Sequence, residues 1–176
     1  MALYTGKGDE GTTKTFGCDQ KISKSSAIAE ALGNLDELNS YLGVIKVTQG
    51  ADSYKEIVEG IQQNIFTISA ELAGAEKRIG EDKVKKVEKY IVESEKELPT
   101  IKTFTIAGGT TLGAQFDFAR TLARRAERRV VAIKDEGREV SKITLRYLNR
   151  LSSLLFALAR LTNHRSGINE SSPSYN

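Results

Sequence analysis

Four stretches of this chain repeat mostly apolar residues at steps of three and four, the spacing that lays a single apolar stripe along an α-helix. Ala31, Leu35, Leu38, Leu42 and Ile45 form the first, and Ile57, Ile61, Ile65, Ile68 and Leu72 the second. Phe116, Ala119, Ala123, Ala126 and Val130 form the third, and Leu148, Leu151, Leu155, Leu158 and Thr162 the fourth. A shorter Lys/Glu-rich stretch with Val84, Val87, Ile91 and Leu98 supplies one more helix, which stops near Pro99 because proline cannot continue it. The heptad-like step favours packing at about 20° over steeper crossings. The expected fold is therefore all-α: a five-helix bundle with near-aligned helices and a Gly-rich N-terminal loop.

The helix limits follow from caps and breakers. The first helix is expected over about 26–47 with Ser23 or Ser25 as N-cap, and the second over about 52–77 with Asp52 as cap. Asp135-Glu136-Gly137 reads as a turn, after which Ser141 or Thr144 opens a last helix reaching about Asn163. Thr100 to Thr111 reads as a loop with Gly108-Gly109, in which a two-strand excursion is possible but too short to change the class. The 176 residues thus make one domain, with a loop over 1–25, the bundle over 26–165 and a flexible tail over 166–176.

Composition removes several functions. A net charge of +3 is too small for the whole chain to clamp nucleic acid. Cys18 and His164 are each the only residue of their type, which excludes an internal disulfide and a Cys/His zinc cluster. His164 is expected to be exposed and not a ligand. No apolar run approaches the ~20 residues needed to span a bilayer, and the first residues lack a signal-like apolar core. A protein of the cytoplasm, without a membrane partner, is expected.

Two segments carry candidate chemistry. On the third stripe's helix, Arg120, Arg124, Glu127 and Arg128 fall at i, i+4, i+7 and i+8, so three guanidinium groups surround one carboxylate on a face away from the stripe. Like charges at this spacing repel, and a polyphosphate would relieve them, because each arginine offers a rigid fork of donors matched to phosphate oxygens. A solvated basic face is the alternative. The second segment is TGKGDEGTTK, where glycines let backbone N–H groups approach an anion and Thr and Lys add donors. It lacks the Walker A spacing, and a mobile terminus is its alternative. Asp9 could hold a cation there, and Asn149 on the last helix could read an adenine or ribose edge. Phe104, in the loop before the arginine helix, reads as a local plug or a ligand contact. Asp36, Glu37 and Asn39 lie off the first stripe.

Three separated segments together carry a resemblance: TGKGDEGTTKTFG with Lys24, then ALGNLDELNSYLG, then FARTLARRAERRV with LRYLNRLSSLLFALAR. They resemble the PduO-type ATP:cob(I)alamin adenosyltransferases over nearly the whole chain. The resemblance implies a five-helix bundle, a homotrimer with ATP at each subunit interface, Mg²⁺, and transfer of the 5′-deoxyadenosyl group of ATP to cob(I)alamin. It implies that Thr5, Gly6, Lys7, Gly8, Thr13, Lys14 and Lys24 wrap the triphosphate, with Arg120, Arg124, Arg125, Ala126, Glu127, Arg128 and Asn149 completing the ATP site. Arg124, Glu127, Arg128 and Phe104 are its expected catalytic residues, Phe104 displacing the lower ligand of the corrinoid. Asp36 is expected to pair with Arg125 across the subunit interface. A reductase or a B12-dependent acceptor enzyme is an expected partner. Two positions depart from the family pattern: its T-K-T-G-D reads Thr5-Gly6-Lys7-Gly8-Asp9 here, and its Pro before the Gly-Gly is Ala107. The competing functions are an ATP-binding regulatory or sensor bundle without catalysis and an RNA-binding bundle, the latter lacking basic residues interleaved with aromatics.

Overall fold

The computed structural model describes residues 3–15 and 20–175, so Gly17 and Cys18 of the N-terminal segment and Asn176 of the tail lie outside the described residues. Five α-helices follow one another: α1 Ala27–Val47, α2 Lys55–Leu72, α3 Glu81–Glu97, α4 Thr111–Asp135 and α5 Lys142–Arg165. Helices α4 and α5 form the most extensive pairing. Helix α1 packs on the other side of α4 and carries α2, while α3 packs on α5.

The stripes are the core. Ala31, Leu35, Leu38, Leu42 and Ile45 of α1, with Phe116, Ala119, Ala123, Ala126 and Val130 of α4, are all fully buried. Leu148, Leu151, Leu155 and Leu158 meet them from α5. Burying apolar side chains of this size stabilises by roughly 1.5–3 kcal/mol each before entropy is counted, so the bundle follows from the stripes themselves. On α2 the buried face begins at Val58, with Ile57 only partly covered.

Several ends fall elsewhere than expected. Helix α2 stops at Leu72 instead of running on to Lys77, because Gly74 takes a φ of +99° that other residues avoid. Its N–H then reaches Glu71 O, and that of Ala75 reaches Ala70 O, the paired bonds of a glycine C-cap. Asp52 does not cap α2: it opens a 3₁₀ turn, Asp52–Tyr54, and its carboxylate takes Lys55 Nζ at 2.6 Å. Ser26, not Ser23 or Ser25, precedes α1, while Ser141 caps α5 by accepting from Thr144 N at 3.0 Å. Two short strands, β1 Thr12–Thr13 and β2 Ile22–Ser23, pair antiparallel within the N-terminal segment expected to be loop alone. The segment after α5, expected to be a flexible tail, is bonded at Glu170 to Arg160 of α5 and at Ser171 to Ile106 of the loop before α4. No helix among the described residues is long and apolar enough to cross a membrane.

Candidate functional site

The arginine face borders a groove of about 410 Å³ lined by Phe104, Arg120, Arg124, Ser152, Ser153 and Phe156, together with Ile101, Thr103 and Thr105. Helix α4 brings the arginines, α5 brings Phe156 and the serines, and the 99–110 loop brings Phe104. That aromatic ring is 81% exposed, so it is not the plug that an aromatic in such a loop suggests. Burial drives phenylalanine inward, and a ring left out at the edge of a charged groove is available to a flat apolar ligand.

The four charged residues of the face do not share one cluster. Arg120 turns back along its own helix, Nε donating to Asp117 Oδ1 at 2.7 Å, with its guanidinium 5.9 Å from the Phe156 ring centre. Glu127 does not orient the arginines: its Oε1 accepts from Asn149 Nδ2 at 3.0 Å. Asn149 is held from the other side by Arg150, whose Nη1 donates to Oδ1 at 2.7 Å and whose Nε reaches Glu88. Arg124 and Arg128 are exposed, and neither has a hydrogen-bond or ion-pair partner among the described residues. These two forks therefore point at solvent with their charge uncompensated. Arg125 reaches across to α1, bonding Asn34 Oδ1 at 2.7 Å through Nε and Glu37 through Nη2. Asp36 beside it is exposed. Ala126 is fully buried, so its methyl group can meet no ligand.

A second cavity of about 620 Å³ lies in the N-terminal segment, lined by Thr5, Lys7, Gly8, Thr12, Thr13, Lys14, Lys21 and Lys24. Among the described residues no carboxylate lines it, while four lysines do. Gly6 has a φ of +66° and turns the chain so that Asp9 N reaches Gly6 O at 3.2 Å. Gly8 matters for space, since a Cβ there would lie 3.0 Å from Lys24 Nζ. The Thr12 hydroxyl is buried without a partner among the described residues, an orphan a phosphate oxygen would satisfy. Thr12 falls within the donor-rich TGKGDEGTTK stretch, whereas Lys21 lies outside it; lysine density was the available signal for Lys21, and pairing of β1 with β2 brings it near. Among the described residues the lysine cavity and the arginine groove have no lining residue in common.

A residue the sequence did not flag ties the loop to the bundle. Asn163, almost wholly buried, accepts at Oδ1 from Thr110 N and Thr110 Oγ1, both at 3.0 Å, and donates to Gly108 O at 2.8 Å. Gly109 and Gly113 make room for it, since a Cβ on either would sit within 2.6 Å of Asn163 Oδ1. His164, next along the chain, is exposed. Among the described residues no three His, Cys, Asp or Glu side chains gather to hold a metal ion.

Comparison with known proteins shows the family of the chain. The family model described as cobalamin adenosyltransferase matches residues 3–162. The chain is 37% identical over 171 residues to the corrinoid adenosyltransferase PduO of Citrobacter freundii, covering 93% of this chain and 50% of that protein. It is 37% identical over 178 residues to the corrinoid adenosyltransferase of Bacillus subtilis, covering 97% of this chain and 91% of the relative. This chain thus spans about half the length of the PduO relatives of Citrobacter freundii and Salmonella typhimurium that it matches. A variant of the PduO-type ATP:corrinoid adenosyltransferase from Lactobacillus reuteri, solved with cobalamin and ATP, superposes with a TM-score of 0.92 at 30% identity, covering 99% of this chain and 97% of that one. With the family match spanning almost all of the bundle, the chain belongs to the cobalamin adenosyltransferase family.

Proposed function

We propose that this protein transfers the 5′-deoxyadenosyl group of ATP to the cobalt of cob(I)alamin and releases triphosphate. The observation that carries the reading is the pair of uncompensated guanidiniums, Arg124 and Arg128, on the helix that also borders the groove holding the exposed ring of Phe104. Cobalt attacks C5′ with its own electron pair, the Co–C bond forms as the C5′–O bond breaks, and the electrons leave on the triphosphate oxygen. No side chain need act as nucleophile or base, so the protein's work is positioning and charge stabilisation, each worth several kcal/mol in favourable geometry. Arg124, Arg128 and the lysines suit the triphosphate, Asn149 braced by Glu127 suits the nucleoside edge, and Phe104 suits the lower face of the corrinoid. Mg²⁺, if it accompanies ATP, would take most of its ligands from phosphate oxygens and water, in keeping with the absence of a carboxylate cluster among the described residues.

We further place the site between subunits of a homotrimer in the cytoplasm. The lysine cavity and the arginine groove share no lining residue among the described residues, which supports this, since a neighbouring copy could bring one against the other. Cob(I)alamin would be supplied by a reductase, and the product passed to a B12-dependent enzyme. Anaerobic incubation with ATP and chemically reduced cobalamin tests the reading: adenosylcobalamin and triphosphate should appear in equal amounts. ATP binding with no product would leave only a nucleotide sensor.

A further inference from the structure

The 99–110 loop makes few bonds of its own and takes its shape from α5 and the segment that follows. At its start, Pro99 O accepts from Arg160 Nη2 at 3.1 Å. In its middle, the hydroxyls of Thr103 and Ser172 meet at 2.7 Å, and Ile106 N donates to Ser171 O at 2.8 Å. At its end, Asn163 holds Gly108 and Thr110. Phe104 itself has 81% of its surface free, so its height above the groove is set by these anchors and not by packing of the ring.

One guanidinium connects the first anchor to the middle ones. Arg160 donates through Nε to both carboxylate oxygens of Glu170, at 2.8 and 2.9 Å, and its Nη2 lies 2.8 Å from Oε2 as an ion pair. Its side chain is 8% exposed and that of Glu170 22%, so the pair is shielded from water and each charge depends on the other. Glu170, Ser171 and Ser172 lie beyond residue 162, where the family match ends.

We propose that the Arg160–Glu170 pair is a clasp through which the segment after α5 positions the Phe104 loop, making Glu170 a positioning residue for the corrinoid. This rests on the reading of Phe104 given above. Glu170→Gln keeps the shape and removes the charge. Ser172→Ala loosens only the Thr103 anchor, and Glu170→Asp restores the charge at a shorter reach. In Glu170→Gln, amide hydrogen exchange over 100–110, Ile106 included, should quicken while α1 keeps its protection. The KM for cob(I)alamin should rise about tenfold with the KM for ATP within about twofold, a split that marks loss of corrinoid positioning alone. Ser172→Ala should move both readouts the same way but less, and Glu170→Asp should recover part of each. Unchanged exchange in Glu170→Gln, or equal changes in both KM values, would overturn the clasp. If the parent protein makes no adenosylcobalamin, the proposed activity fails, and exchange alone then decides whether the clasp orders the loop.

Discussion

Asn149 of α5 donates its side-chain amide to Glu127 Oε1 of α4 at 3.0 Å, joining the two most extensively packed helices at the arginine face. Both ends of the Asn149 amide are engaged, since Arg150 holds its Oδ1. This leaves one N–H and one lone pair aimed by two neighbours. Glu127→Gln and Asn149→Ala should each lower kcat/KM while leaving the fold intact, because the bond lies at the partly solvated surface. A double-mutant cycle on kcat/KM should return a coupling of about 0.5–3 kcal/mol. Strict additivity would mean that the two side chains act separately.

Arg124→Ala and Arg128→Ala should each remove about 2–4 kcal/mol of transition-state stabilisation, the range for losing one electrostatic donor from an active site. Neither arginine has a partner among the described residues, so neither variant should lower the unfolding temperature. Relief of the repulsion between them could even raise it slightly. Steady-state kinetics beside thermal unfolding separates the two effects, and near-normal kcat/KM in both variants would take the arginine helix out of the mechanism.

The fold was legible wherever one-dimensional spacing decides the outcome. The α1, α4 and α5 stripes are buried residue for residue because the 3.6-residue period leaves no other face for them. The end of α2 was not legible, since Ala70 to Lys77 is rich in helix formers and only the backbone freedom of Gly74 overrides them. At the site the residue types were readable and the pairings were not. Arg120 turns to Asp117 at i−3, a helix neighbour that lies outside the arginine face as the sequence was read. Arg160 and Glu170 are ten residues apart with a helix end between them, and no periodicity links them.

Tyr147 is expected to contribute to the loss of stability at alkaline pH. Its ring is fully buried, and burial holds its hydroxyl well above the ordinary tyrosine value of 10.0, opposed only in part by the bond from Asn64 Nδ2 at 3.0 Å. The folded protein keeps this proton when the unfolded chain has lost it. The contribution is therefore complete below about pH 10 and shrinks above it, by up to about 1.4 kcal/mol per pH unit. Tyr147→Phe should cost about 1 kcal/mol at neutral pH through the lost hydrogen bond, yet show a flatter decline above pH 10. Urea unfolding from pH 7 to 11 compares the two slopes; equal slopes would assign the alkaline loss to other groups.

Arg125 rests on α1 of its own chain through Asn34 and Glu37, while Asp36, one position before Glu37, is exposed. A guanidinium carries five N–H donors, and these two contacts use Nε and Nη2 only, so the same arginine can also serve a carboxylate from a neighbouring copy. Magnitude separates the two roles. The side chains of Arg125 and Glu37 are 42% and 51% exposed, so the pair within the chain is worth about 1 kcal/mol or less. Stranding one charge in a subunit interface costs about 3–5 kcal/mol. Glu37→Gln should therefore leave assembly nearly unchanged, whereas Asp36→Asn should lower turnover and oligomerisation together. Exchanging the charges, Asp36→Arg with Arg125→Asp, should recover part of both. Sedimentation and turnover measured on the same preparations decide the matter: a fully active monomer, or an Asp36→Asn protein equal to the parent in both assays, returns the nucleotide site to a single chain.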